Sequence, residues 1–432
     1  TQPSMYPSET GVFSAVRNSE LRNFTLDQLS VTGYESAATG TLVGYEKGGN
    51  VYENINILNV NVTGFQTTGG FVGRAGAYNL NGSSFTNILV QGNIQGTYNV
   101  GGFMGRSNSS FANMTVDQVT VLADIDANGI AGGLFGFIGA SSGNRVTVEN
   151  SYYVGSINGT HDFRNHGLGG AFGWVFGDVT LRNIAARANL TSVSEAVSDT
   201  RQMEAKIGGL IGRVNDANLV IENAYFNGDI SVSSVTEDSD KAFSFFFFFI
   251  RSLRNPSTIS IKNVYASGTI ALDVDGDFEI GSLIGEVNET SIYGSFDINV
   301  SFENAYGIAP PSLTGATTTD ITGTFSGKST GELQDINTFI GWDFDNIWAI
   351  DSNLNGGHPY LQIEDDLAIG RIPLSSVADI LAISSNERRV FGAGTADSAI
   401  ASGGASLKWP PPTANRAPKK KWRRQRPAVN HH

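Results

Sequence analysis

The chain has 432 residues and a formal net charge of −13, and it contains 52 glycines, 12 prolines and no cysteine. The absence of cysteine excludes disulfides and thiolate metal sites, and no apolar run reaches the ~18 residues that a membrane-spanning helix needs. The composition is typical of many short strands and tight turns, so helix should be the minority.

The charge is divided unevenly along the chain. Residues 409–432 hold seven Lys and Arg and no Asp or Glu, so residues 1–408 carry −20, which is −13 less the +7 of this segment. An acidic body argues against nucleic acid as a partner. A basic tail on an acidic body is suited to dock on a neighbouring copy of the chain.

A glycine motif recurs along the chain at intervals of 29 to 39 residues. Its copies are Gly40–Gly44, Gly69–Arg74, Gly101–Arg106, Gly132–Gly136, Gly169–Gly173, Gly208–Arg213 and Gly281–Gly285, with a degenerate first copy at Gly11–Phe13. The paired glycines indicate corners with positive φ, where one repeat lies close to the next. The motif lacks the Lys and the Ser or Thr of a phosphate-binding loop, so it does not predict nucleotide binding.

An asparagine follows each glycine motif inside a strand-like segment. These asparagines are Asn23, Asn54, Asn87, Asn113, Asn150, Asn183, Asn223, Asn263 and Asn304. Stacked along an axis, their side-chain amides could hydrogen-bond from one repeat to the next, as in a ladder. The alternative is that each asparagine only favours a local bend.

Each repeat therefore offers three short β segments joined by turns. This pattern predicts an all-β fold, a parallel β-helix or β-solenoid of about nine coils over residues 1–310, with coils ~4.8 Å apart. Residues 311–361 are predicted to form a small C-terminal capping module, and residues 362–432 a low-complexity, basic tail.

The eighth repeat departs from the pattern at Phe245, Phe246, Phe247, Phe248 and Phe249. Aligning Arg251 with Arg213 places Phe246 and Phe247 in the positions of the glycine pair. Five consecutive aromatic side chains of one strand cannot all point inward. The stretch is therefore either an interface or a place where the core is locally wider.

Acidic residues cluster eight positions before three of the glycine-motif positions. They are Asp124, Asp126 and Asn128, then Asp238 and Asp240, then Asp273, Asp275 and Asp277. Oxygen ligands at alternating positions suit Ca²⁺, so these residues are candidate calcium ligands. The alternative is a set of solvated turns.

Two parts of the sequence resemble the GLUG-motif family. The repeats Gly133-Leu134-Phe135-Gly136 and Gly209-Leu210-Ile211-Gly212 carry its Gly-Leu-hydrophobic-Gly pattern, and the segment from Phe339 to Leu361 is similar to the module that often follows such repeats. The family occurs in large exported bacterial surface proteins, including adhesin-like ones. The resemblance implies a secreted, extracellular or cell-surface location and a binding or scaffolding role without catalytic residues.

We therefore expect a non-enzymatic structural protein, a filament or surface-matrix subunit whose tail docks on a neighbouring subunit in a homo-oligomer. One alternative is a monomeric surface adhesin that binds glycans or a host partner. The second alternative is a polysaccharide lyase or hydrolase, for which His161, Asp162, His166 and Asp178 are the candidates, although no defined spacing pairs them.

Overall fold

The computed structural model describes sixteen segments of the chain. These are residues 9–35, 37–76, 82–109, 112–141, 143–161, 167–194, 205–234, 241–244, 247–251, 255–273, 278–281, 284–288, 290–291, 294–295, 297–308 and 320–367.

The strands of coils 1 to 5, three to a coil, are β1 Phe13–Val16, β2 Glu20–Asp27, β3 Ser30–Thr32, β4 Ala38–Gly40, β5 Val43–Glu46, β6 Val51–Thr63, β7 Thr67–Gly69, β8 Val72–Gly76, β9 Ser83–Gly96, β10 Asn99–Gly101, β11 Met104–Ser109, β12 Met114–Ala127, β13 Ile130–Gly132, β14 Phe135–Ala140 and β15 Val146–His161.

Coil 6 comprises β16 Leu168–Gly169 and β17 Phe172–Ser194, and coil 7 comprises β18 Ala205–Gly208, β19 Ile211–Asn227 and β20 Ile230–Ser234. Coils 8 and 9 and the residues after them contain β21 Lys241–Ser244, β22 Phe247–Arg251, β23 Ser257–Ser267, β24 Ile270–Asp273, β25 Phe278–Gly281, β26 Ile284–Asn288, β27 Thr290–Ser291, β28 Gly294–Ser295, β29 Ile298–Ile308, β30 Asp320–Lys328, β31 Trp348–Ala349 and β32 Tyr360–Leu361. Four 3₁₀ helices follow β30, namely η1 Glu332–Gln334, η2 Ile336–Thr338, η3 Asn355–Gly357 and η4 Gln362–Leu367.

Corresponding strands of successive coils pair in parallel, which confirms the predicted β-solenoid. The strands that precede or include the first motif glycine form an eight-stranded sheet, and the strands after the motif form a 20-stranded sheet that curls around the core. Each coil adds one rung in register; Val116 of β12 pairs with Val148 of β15, for example. None of the described helices is both long and apolar enough to cross a membrane.

One hydrophobic core runs through all nine coils, from Val16 to Ala305. Both apolar residues after the glycine pair are buried, and their rings contact each other from coil to coil: the ring centroids of Phe103 and Phe135 are 5.5 Å apart and those of Phe135 and Phe172 are 5.9 Å apart. Offset and edge-on contacts of this kind stabilise beyond the apolar area they bury.

The paired glycines are required for close approach and not for positive φ. Within the described residues, none of these pairs has φ in the left-handed region, so that part of the prediction is wrong. A Cβ atom on Gly70 would lie 2.1 Å from the carbonyl oxygen of Gly102 in the next coil, and one on Gly133 would lie 2.3 Å from that of Gly170. Any larger residue would push neighbouring coils apart.

Both predicted boundaries of the C-terminal module are wrong. The strand β30 pairs in parallel with β29, so the solenoid continues to Lys328 rather than ending at residue 310. The module also includes η4, which lies beyond the predicted limit at residue 361. The rest of the predicted tail lies outside the described residues.

Candidate functional site

The asparagine ladder is present at eight of the nine predicted positions. The backbone of each of these residues is left-handed, with φ between 50° and 60°. The amide-to-amide hydrogen bonds run from Asn54 to Asn23 (2.8 Å), Asn87 to Asn54 (2.9 Å), Asn183 to Asn150 (2.7 Å), Asn223 to Asn183 (3.0 Å), Asn263 to Asn223 (3.1 Å) and Asn304 to Asn263 (3.0 Å). Asparagine suits this column because it tolerates a left-handed backbone and carries both a donor and an acceptor.

Asn113 is not a member of the ladder, and Gln118 occupies its place. Gln118 has φ 56° and follows Asp117, which pairs with Thr86 of β9. Because its longer side chain stands there, Asn150 Nδ2 donates instead to Asp117 Oδ1 at 2.8 Å. Asn113 precedes β12, and its Oδ1 accepts a hydrogen bond from the Arg145 backbone N–H at 2.8 Å. The regular spacing of the other asparagines points to position 118, but the prediction chose Asn113 because it is an asparagine.

The first group of predicted calcium ligands forms three separate contacts. Asp124 Oδ1 accepts from Ser156 Oγ at 2.5 Å, Asp126 Oδ1 from Asn158 Nδ2 at 3.0 Å, and Asn128 Oδ1 from Thr160 Oγ1 at 2.8 Å. Each side chain therefore bonds to its own partner on the next coil, and the three do not converge. The described residues contain no group of three or more His, Cys, Asp or Glu that could hold a metal ion.

The remaining calcium candidates give less information. Asp273 is exposed at the end of β24. Asp238, Asp240, Asp275 and Asp277 lie outside the described residues. A calcium site at these positions stays a prediction.

The phenylalanine stretch has a different register from the predicted one. Ser244 pairs with Gly208 and Phe249 pairs with Arg213, so Ser244 takes the position of the first motif glycine. Phe245 and Phe246 lie outside the described residues. The alignment of Arg251 with Arg213 was wrong by two residues, since Arg251 pairs with Asn215. Phe247 pairs with Ile211, whose side chain is fully buried.

The four residues of the enzyme alternative are only partly described. Asp178 Oδ1 accepts a hydrogen bond from Asn218 Nδ2 at 2.6 Å. The backbone of His161 pairs with Ser194 at the end of β15. Asp162 and His166 lie outside the described residues.

The C-terminal module, residues 329–367, packs on the side of the solenoid and does not cap its end. Its Phe339, Trp342 and Trp348 form an apolar cluster with tyrosines that project outward two residues after the ladder asparagines. The ring of Trp342 lies 6.0 Å from that of Tyr306 and 6.2 Å from that of Tyr265. An outward-facing tyrosine column needs such a cover, because exposed apolar patches of this size are unfavourable.

A buried ion pair anchors the far end of the module. Arg187 of coil 6 is 3% exposed and pairs with Glu364 of η4, which is fully buried. Tyr225 Oη lies 3.0 Å from each carboxylate oxygen of Glu364, and Arg187 Nε donates to Tyr225 Oη at 3.0 Å. Burial lowers the pKa of Arg187, but the neighbouring Glu364 and Tyr225 outweigh it and leave that pKa raised.

A second set of polar contacts lies beside this pair. Tyr265 Oη donates to the Pro359 carbonyl oxygen at 2.5 Å, and Asn355 Nδ2 donates to Tyr265 Oη at 2.7 Å. Asn227 Nδ2 donates to Asn355 Oδ1 at 2.7 Å. The ring of His358 stacks on Tyr265, and burial lowers the pKa of His358. The recurrence of tyrosine after the ladder asparagine was the sequence signal for this docking face.

The two ends of the solenoid are open among the described residues. Within those residues, β1, β2 and β3 pair on one side only, with coil 2. The inward positions Leu21, Phe24 and Leu26 are only partly buried, whereas their coil-2 counterparts Tyr52, Ile55 and Ile57 are fully buried. At the other end, β30 pairs with β29 alone and Phe325 is partly buried.

Comparison of the chain with protein-family models, curated proteins and solved structures finds no match.

Proposed function

We propose that this chain is a non-enzymatic extracellular structural protein, a subunit that assembles end to end into a filament or surface matrix. The observation that carries the proposal is the in-register stacking of the coils. Each described coil presents strand edges and inward apolar side chains that the next coil covers, and in the first described coil these side chains are only partly buried. Parallel edges of this kind are templates for adding another strand.

Stacking the last coil of one subunit on the first coil of another continues both the sheets and the core. Such a contact joins two different surfaces, so it repeats without closing and gives a filament. The resemblance to GLUG-motif repeats supports an exported, cell-surface setting for this assembly.

The basic tail contributes a second contact in this proposal. Residues 409–432 carry +7 and residues 1–408 carry −20, so a tail has an oppositely charged partner surface on a neighbouring subunit. Attraction between exposed charges weakens as salt screens it. The available tail begins after Leu367, because Gln362–Leu367 belongs to the module.

Electron microscopy and sedimentation of a variant of the first coil test the end-to-end contact. Leu26→Lys places a charge among the inward side chains of the open coil, and we expect it to abolish filaments. The matched control is Thr25→Lys, because Thr25 is the preceding residue and is exposed on the outer face of β2. Filaments of Leu26→Lys as long as those of Thr25→Lys would refute end-to-end stacking.

Deletion of residues 368–432 tests the tail separately. The deletion leaves Glu364 and the module in place, so the fold should be retained. We expect weaker assembly that no longer responds to salt, as measured by sedimentation. Unchanged assembly of the truncated protein would remove the tail from the proposal and leave the coil contact standing.

A further inference from the structure

A column of arginine and aromatic side chains runs along an outer face of the solenoid. In-register pairing aligns one position of six successive coils, two residues after the second apolar residue that follows the glycine pair. Its side chains are exposed or half-buried in coils 3 to 6 and buried at the two ends, Tyr45 and Arg213. This Arg–aromatic column comprises Tyr45, Arg74, Arg106, Phe137, Trp174 and Arg213.

The side chains of the column lie on one another. The guanidinium of Arg74 is 4.1 Å from the centroid of the Tyr45 ring, that of Arg106 is 5.0 Å from the Phe137 ring, and that of Arg213 is 4.3 Å from the Trp174 ring. Cation–π contacts of this kind hold both partners in place. The column is therefore an ordered surface and not a set of independent side chains.

Glycines beside the column allow its rings to lie against the sheet. A Cβ atom on Gly139 would come within 2.8 Å of the Phe137 ring, and one on Gly76 would come within 3.1 Å of Tyr45 Oη. Phe137 and Trp174 are half-buried, and their rings pack edge to face at 5.3 Å. The outer edges of these rings remain open to an apolar surface.

One arginine of the column has no carboxylate partner within the described part of the chain. Arg74 pairs with Glu9, but Arg106 has no carboxylate partner among the described residues and is exposed. The backbones of Arg74 and Arg106 lie on adjacent rungs, ~4.8 Å apart, but their guanidinium groups stack on rings of opposite neighbouring coils, and the Arg106 guanidinium is left open to an anion.

We propose that the Arg–aromatic column binds an anionic polysaccharide, with a carboxylate on Arg106 and the apolar face of a sugar ring against Phe137 and Trp174. Arginine binds carboxylates through two parallel hydrogen bonds, and the rung spacing is close to the length of one sugar unit. A nucleic acid is less favoured, because its denser charge is repelled by a body that carries −20.

Titration calorimetry of the full chain with polygalacturonate tests this proposal, with neutral dextran as the control polymer. Arg106→Gln removes the charge with little change in size, and we expect roughly tenfold weaker binding. Trp174→Ala should weaken binding by a similar factor, roughly tenfold. Arg22→Gln is the matched control and should bind like the unchanged protein, because Arg22 is a half-exposed arginine of β2, outside the column.

Circular dichroism and thermal unfolding establish that each variant is folded, and Phe137→Leu is a milder second change that should still weaken binding. Three results would overturn the proposal: affinity of Arg106→Gln equal to that of Arg22→Gln, equal affinity for dextran and polygalacturonate, or tighter binding of single-stranded DNA than of polygalacturonate. Repeating the titration on Leu26→Lys separates this site from assembly, since binding should persist there.

Discussion

Two outer faces of the solenoid are built alike but differ in what covers them. Each presents arginine and aromatic side chains stacked from coil to coil. On the face of coils 6 to 9, the chain's own module covers the tyrosines, and Glu364 neutralises Arg187 in a fully buried site. In the Arg–aromatic column, Arg106 is exposed, and no carboxylate within the described part of the chain pairs with it. The covered face shows that arginine and aromatic side chains stacked on this solenoid can hold a carboxylate.

The burial of the arginine decides whether a substitution affects stability or binding. A buried ion pair contributes little in itself, but removal of one partner leaves an uncompensated charge in a low dielectric. An exposed arginine costs little while unpaired, because water solvates it. We therefore expect changes on the covered face to alter folding and changes in the column to alter binding.

The largest expected effect is that of Glu364→Ala. It leaves Arg187 buried beside Tyr225 without a carboxylate, which should destabilise docking of the module by about 3–5 kcal/mol. The measurement is denaturant unfolding followed by tryptophan fluorescence, because Trp342 and Trp348 are buried in this interface. The control is Glu332→Ala, which removes an exposed module carboxylate that pairs with Lys328 at the end of β30.

A double variant sharpens this test. Replacing both Arg187 and Glu364 by leucine removes the two charges together and should recover most of the lost stability. If the double variant is as unstable as Glu364→Ala, the packing of η4 and not the charge of Arg187 determines docking.

The ladder provides two equivalent asparagines, one in the coils that the module covers and one in a coil that it does not cover. Asn223 and Asn54 both have φ 56°, and each bonds to an asparagine above and below. Asn223 is 5% exposed in covered coil 7, whereas Asn54 is only partly buried in uncovered coil 2. Asn223→Ala should therefore cost about 2–3 kcal/mol and Asn54→Ala less, as measured by chemical denaturation.

Asn223→Gly serves as the control for backbone conformation. Glycine tolerates the left-handed backbone, so the free energy of unfolding of Asn223→Gly should be about 1 kcal/mol higher than that of Asn223→Ala. Equal losses for alanine and glycine would show that the backbone contributes nothing and that the hydrogen bonds account for the whole effect.

Gln118→Asn should stabilise the protein by about 1 kcal/mol. The change places the preferred residue at a left-handed position and gives Asn87 an amide partner on the next coil. Thermal unfolding measures the effect, and Asn113→Ala is the control, since Asn113 lies outside the ladder. A loss of stability in Gln118→Asn would contradict the ladder register.

The smallest expected effect is on pH dependence. The folded-state pKa of His358 is lowered by burial, so the unfolded chain takes up the proton first as the pH falls. Stability is fully present above the ordinary histidine pKa of about 6.5 and is lost as the pH falls through the folded-state value. His358→Gln should flatten this part of the stability curve in denaturation at a series of pH values. An unchanged slope would assign the pH dependence to other groups.

The sequence by itself determined the fold and most of the ladder, because these features repeat. The glycine pairs mark a close approach that only a residue without Cβ permits, and the asparagines mark a left-handed position in eight coils. A periodic signal accumulates over the coils, so one aberrant copy does not hide it. At Gln118 and Ser244 one repeat carries a different residue at the motif position. There the prediction followed residue type and was wrong, whereas the spacing of the repeats gave the correct position.

Only the tertiary structure decided which side chains meet. Arg187 and Glu364 are 177 residues apart in the chain, and no motif relates them. Arg106, Phe137 and Trp174 form one surface only because in-register stacking aligns different residue types from three coils. Side docking of the module likewise depends on outward tyrosines that cannot be told from inward ones until the register is known. Local pattern determines a repeating backbone, whereas the chemistry on its surface depends on contacts between distant residues.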